Sequence, residues 1–227
     1  IKVNPNLCVG CGACTTVCPT GAISFAYPRP AEQGHKIKTL LGTYTSAGGK
    51  HAALLLHSQE AGTRWLGDLG RMTRLDPDTH GVPARVLPVT LWHTVSVGLE
   101  LWLSAIAYGA SQVWVLMTDE EAPQYREALR EQMDVAQAIL AGLGFQGEHF
   151  RILDVRDARD LPAFDAQLQV PPAQGVAQAA GFTVQADKRA TLELALDHLM
   201  AQATAPTSQV VAKKRAARKN PPAETRA

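Results

Sequence analysis

The hydrophobic pattern of the chain changes period several times. Ala52 to His57 is a short, nearly continuous apolar run, as expected of a strand buried on both faces of a parallel sheet. Glu60 to Met72 then reads as a helix, with Trp65, Leu66 and Leu69 on one side. Ala84 to Thr90 predicts the next strand. Thr94 to Tyr108 places Val95, Leu99, Trp102 and Ile106 at helical spacing, and Gly109 stands where a helix-ending glycine belongs. Gln112 to Met117 predicts a third strand, Glu121 to Leu143 a long helix stopped by Gly144, His149 to Asp154 a fourth strand, and Arg189 to Ala203 a last amphipathic helix. Strands alternating with helices predict an α/β fold: a flavodoxin- or Rossmann-like parallel sheet of about four strands with helices on both faces. No G-x-G-x-x-G follows any strand and no P-loop lysine motif is present, so the fold class alone supplies no nucleotide.

The pattern divides the chain into an N-terminal segment over 1–28, a linker over 29–50, the α/β domain over 51–205 and a tail over 206–227. Pro28, Pro30 and Gly34, then Ser46 to Gly49, mark the linker. The tail holds six Lys/Arg (Lys213, Lys214, Arg215, Arg218, Lys219, Arg226) against Glu224, so it is +5 and the rest of the chain −4, within a net charge of +1. It has no apolar period and reads as a disordered, solvated tail. Without aromatic interleaving it gives no reason to expect nucleic acid. A hydrophobic fraction of 46% against 19% charged excludes a wholly disordered chain. No apolar run approaches the ~18 residues of a membrane span, and no signal peptide is visible, which points to a cytoplasmic protein.

All four cysteines fall within eleven residues, as Cys8, Cys11, Cys14 and Cys18, followed by Pro19. The spacing C-x2-C-x2-C-x3-C-P resembles the cluster motif of bacterial ferredoxins and implies a [4Fe-4S] cluster on these four thiolates. Gly10 and Gly12 let the backbone curl, while Val3, Val9, Val17, Ile23 and Phe25 could supply apolar wrapping. Structural zinc sites usually bring two separated ligand pairs, and there is no second pair here. In two-cluster ferredoxins the fourth cysteine of such a run ligates the other cluster. By that rule, either Cys18 closes a single site in an unusual way, or it serves a second cluster whose other ligands lie on a missing segment. The ligand rule favours the second.

The stretch from Ala52 to about Leu153 resembles the delta subunit of methyl-viologen-reducing hydrogenase, a family also found fused to heterodisulfide reductase subunits. The likeness is carried by Arg85-Val86-Leu87-Pro88-Val89 with Leu99 to Ala110, and by Tyr125-Arg126-Glu127-Ala128-Leu129 running to Phe145. That family binds a [2Fe-2S] cluster through cysteines at its strand ends. The comparable positions here are Leu55, Ser58, Leu91, Thr118 and Pro123, none of them cysteine, so the second cluster is not carried over. The resemblance implies a scaffold that docks or spaces within a redox assembly.

His57, His93 and Asp119 each follow a predicted strand, where ligands of open α/β sheets sit. As a set they could bind a metal or move protons; as ordinary loop residues they are simply satisfied there, and the second reading is the commoner one. Trp65, Trp92, Trp102 and Trp114 read as core, and Glu121 to Glu131 as a solvated helix face with i,i+4 pairs. The expected function is electron transfer by an iron–sulfur module, between a redox-protein donor and acceptor, in the service of a larger oxidoreductase. The alternatives are a catalytic or small-ligand α/β domain fed by the cluster, and a structural cluster used for docking.

Overall fold

The computed structural model describes residues 3–4, 6–18 and 20–203. A short helix, α1 (Ala13–Val17), lies in the cysteine segment and α2 (Pro30–Ser46) follows it. β1 (Ala53–Ser58), β2 (Val86–Leu91), β3 (Gln112–Met117) and β4 (Phe150–Asp154) form one sheet in the order β2-β1-β3-β4. Every pairing is parallel: Ala53 stands opposite both Val86 and Gln112, and Val113 opposite Phe150. The expected α/β class and four strands are therefore present.

Alternation along each strand sends side chains to opposite faces of the sheet. Leu54, Leu56, Val113 and Val115 enter one core with α2, α4 (Leu99–Ala107), α5 (Pro123–Gly142) and α7 (Lys188–Ala201). Ala53, Leu55, Trp114 and Leu116 enter the other with α3 (Ala61–Met72) and α6 (Leu161–Leu168). Helices thus cover both faces. β1 and β3 are buried along their whole length, which is why they read as continuous apolar runs. Helix α4 is buried at every residue from Leu101 to Ala107. A helix apolar all round needs cover on all sides, and α4 packs against the sheet, α2, α5 and α7.

Several boundaries differ from expectation. The linker expected over 29–50 is largely helix α2. Pro30 presets its first turn, and the Arg29 backbone amide donates to Glu32 Oε2 at 2.9 Å. Ile37 and Leu41 bury an apolar stripe too thin to stand out against the surrounding prolines and glycines. The helix expected from Thr94 is a 3-10 turn over Thr94–Ser96, then α4 after an extended Gly98. The helix expected from Glu121 begins at Pro123, because the Glu121 carboxylate is bound by the preceding loop. Glu121 is buried rather than part of a solvated face. Helix α6, opened by a turn in which Asp157 accepts from the Arg159 amide, had no clear periodic signal. The expected disordered tail over 206–227 lies outside the described residues. Among the described residues no helix is long and apolar enough to cross a membrane.

Candidate metal centre

In the order β2-β1-β3-β4 the chain reverses direction across the sheet between β1 and β3, and ligands of such sheets sit beyond the carboxyl ends at that point. Here two of the protein's own carboxylates are hydrogen-bonded into the loops at the strand ends. Glu120 accepts from the Ser58 hydroxyl and, at 3.2 Å, from the Ala61 amide at the start of α3. Glu121 accepts from the Thr118 amide at 2.7 Å, the Thr118 hydroxyl at 3.0 Å and the Thr94 hydroxyl at 2.6 Å. The cysteine segment lies over this end of the sheet. Val9 and Cys11 face Gln59, Glu60, Trp92, His93 and Glu120 across a cleft of about 350 Å³.

Local rules shape the cysteine loop. Gly10 and Gly12 take φ of 67° and 83°, the left-handed region that glycine enters without steric cost. A Cβ at Gly12 would stand 2.8 Å from Ser96 Cβ and 2.9 Å from Ser96 Cα, so the position demands glycine twice over. Gly12 opens α1, and the buried Thr16 donates its hydroxyl to the Val95 carbonyl. Gln132 of α5 donates to the Thr16 carbonyl at 3.0 Å. At the other end of the segment, Lys188 Nζ donates to the carbonyls of Thr15, Thr16 and Cys18 at 3.0, 2.9 and 3.0 Å. Terminal helix carbonyls have no intrahelical partner, and a cation there answers both their hydrogen-bonding need and the helix dipole. Glu100 Oε2 lies 3.6 Å from the same ammonium. Burial holds the Glu100 carboxyl above the usual carboxylate range, with Lys188 opposing.

The four cysteines are free of disulfides; Cys8 and Cys14 are exposed, Cys11 and Cys18 half-buried. Cys11 packs at the edge of the main core, its Sγ 3.6 Å from Tyr125 Oη. That contact, and then the charge of the cysteines, pushes the Tyr125 phenol above its ordinary range. Cys18 is turned the other way, 3.5 Å from the Thr20 hydroxyl. That hydroxyl first, then the backbone amides of Thr20, Ile23 and Ala22, brings the Cys18 thiol down to about 6. Four free thiols on a glycine-curled loop, one of them acidified, are donors of the chemistry that a [4Fe-4S] cluster requires. Among the described residues no three His, Cys, Asp or Glu side chains converge closely enough to hold a metal ion.

His57, His93 and Asp119 are not brought together among the described residues. His57 is buried and satisfied, its Nδ1 3.0 Å from the Ser58 carbonyl and its Nε2 3.3 Å from the Thr90 hydroxyl. Burial keeps its pKa below the ordinary histidine value. His93 Nδ1 accepts from the Val95 amide at 3.3 Å, and its ring meets Tyr125 edge-on at 5.8 Å. Asp119 is exposed. Trp92, expected in the core, is 54% exposed, because it follows the carboxyl end of β2 and lines the cleft instead. Sequence reasoning missed Tyr125, Lys188 and Glu100. Each acts across more than eighty residues of chain, and no short-range pattern marks them.

A run of four free cysteines docked at one end of an α/β body has the donors of an iron–sulfur segment. The family model for the 4Fe-4S binding domain matches residues 1–24, so a ferredoxin-type domain opens the chain and its cofactor is a [4Fe-4S] cluster. No curated protein matches the chain.

Proposed function

We propose that this protein is an electron-transfer component of a larger oxidoreductase, with Cys8, Cys11, Cys14 and Cys18 as iron ligands and the α/β body as the element that presents them. The observation that carries this is the ferredoxin-type segment lying over the ligand end of the sheet, held there by Thr16, Gln132 and Lys188. A bound cluster supplies a one-electron couple. The chain's residues hold it at the surface: Cys8 and Cys14 are exposed, and Val9 and Trp92, which line the cleft at Cys11, are 76% and 54% exposed, leaving an open face for a redox partner. The resemblance of the body to the hydrogenase delta subunit supports a role in docking within such an assembly.

The alternative of a catalytic or small-ligand body is less well supported, since its candidate groups are spoken for or apart: His57 is buried and satisfied, His93 is bound to the Val95 amide and Asp119 is exposed. Alanine at His57 and Asp119 should leave partner-linked turnover unchanged. Anaerobic reconstitution followed by low-temperature EPR tests the main reading. About four irons and four sulfides per chain with a reversible one-electron signal is the result expected if Cys18 closes the site; about three irons would assign Cys18 to a second cluster. Iron bound with no reversible signal overturns the electron-transfer reading.

A further inference from the structure

Besides Lys188, Val95 and Ser96, the α/β body touches the cysteine loop through one face of α5. Tyr125, Ala128, Leu129 and Gln132 are spaced i, i+3, i+4 and i+7, a single helical stripe. Tyr125, Ala128 and Leu129 line a small apolar hollow with Ala13, Cys14, Thr16 and Val17 of the loop, and Gln132 donates to the Thr16 carbonyl. Tyr125 stands 114 residues from Cys11, yet its Oη is 3.6 Å from the sulfur. Its place does not depend on a loop. Leu129, Met133, Ala136 and Leu140 anchor α5 in the core, and the His93 ring abuts the phenol at an interplanar angle of 87°.

A ligating cysteine sulfur has no proton, so in that state the phenol O–H is the donor and the sulfur the acceptor. Such a bond is stronger to the more negative sulfur and therefore favours the reduced cluster over the oxidised one. We infer that Tyr125 is the hydrogen-bond donor through which the α/β body sets the reduction potential of the cluster on the cysteine loop. Because coupling is reciprocal, reduction in turn tightens the loop onto α5, so the body feels the redox state of the module. Tyr125 is a positioning and tuning residue, not a ligand. The inference rests on the proposed electron-transfer function.

The test is the midpoint potential of the reconstituted full chain and of its Tyr125→Phe variant, after iron and sulfide have been measured for both. The variant is expected to load as the wild type does and to lose about threefold to tenfold in its reduced-to-oxidised ratio, a fall of about 28 to 59 mV for a one-electron couple. Amide hydrogen exchange over residues 8–16 and the first turn of α5 should slow on reduction in the wild type and not in the variant. An unchanged potential, or a rise, overturns the inference while leaving the electron-transfer reading standing. A wild-type chain that loads no cluster overturns both, and does so at the iron assay. Should Tyr125→Phe fail to load, 3-fluorotyrosine in place of tyrosine, of which the chain has four, keeps ring and hydroxyl and strengthens the donor. Of the other three, Tyr44 donates to the Lys50 carbonyl and Tyr108 stacks on Phe182, while Tyr27, 84% exposed, lines a cleft with Gly10, so the labelling is done in a Tyr27→Phe chain. A raised potential then supports the inference, and an unmoved one overturns it.

Discussion

Single side chains in this protein are tuned mainly by what is packed against them, and His149 shows it most clearly. It is fully buried, with Nε2 2.9 Å from the Gln174 carbonyl and Nδ1 3.3 Å from Gln137 Nε2. The neutral ring with its proton on Nε2 satisfies both neighbours, whereas a second proton on Nδ1 would face the Gln137 amide donor. Burial first, against the Gln174 and Gly147 carbonyls, brings its pKa below 6.5. A histidine with a depressed folded-state pKa binds fewer protons folded than unfolded, so the stability it contributes is held above about pH 6.5 and lost as pH falls below it. His57 and His93 are lowered by burial too, while Glu100, raised by burial, pulls in the opposite sense. Urea midpoints at about pH 7.5 and about pH 5.5 should therefore fall less in His149→Gln than in the wild type. Equal drops would count against this account. None of it was legible beforehand, because His149 reads in the sequence only as the first residue of a strand. The cysteine motif was legible because its chemistry is local, with all four donors inside one loop.

Among the elements, α1 carries the most consequence for its length, five residues with its carbonyl end resting on Lys188. Replacing Lys188 by Met removes those bonds and leaves Glu100, 13% exposed, without its cation. Stranding a buried charge costs about 3 kcal/mol or more, so Lys188→Met should lower the unfolding free energy by roughly that, and Glu100→Gln in the same chain should restore part of it. Purely additive effects would mean that the pair is not coupled. Gly12→Ala tests the opposite end of the helix. The added Cβ meets the Ser96 backbone, and iron retained after desalting should drop well below wild type with far-UV circular dichroism unchanged. The same elements show what pattern reading reaches. β1 and β3 were plain because burial on both faces writes a continuous apolar run. Helix α2 was not, because Pro28, Pro30 and Gly34 read as punctuation. In the structure Gly34 is instead where Val184 packs, with an added Cβ only 2.2 Å from Val184 Cγ2. Close approach and flexibility call for the same residue, and the sequence does not separate them.

At the scale of the whole molecule the two parts are unequal. Both cores are built from residues between Ile37 and Leu199, with Cys11 and Ala13 only packed on the outside of one. The described residues of 1–28 contribute no buried aliphatic or aromatic side chain of their own to either core, and a segment of that size cannot bury enough surface to order itself. The α/β body should therefore fold without the cysteine segment, while the cysteine segment should depend on the body or on its metal. A chain beginning at residue 29 is expected to unfold in urea as one cooperative transition. Its m-value should be smaller by about an eighth, the share of the chain removed, since m scales with the surface exposed on unfolding. A peptide of residues 1–28 without iron should give no cooperative transition. A broad or absent transition in the truncated body would show instead that the loop is part of its fold, and that α5 and Lys188 need the loop as much as it needs them. The expected asymmetry has a consequence for electron transfer. An independently stable body keeps Tyr125 and Lys188 in place whether or not the cluster is present, so the loop meets a prepared surface each time the cluster assembles or changes charge. Cluster assembly then costs the ordering of one short loop rather than the folding of a domain.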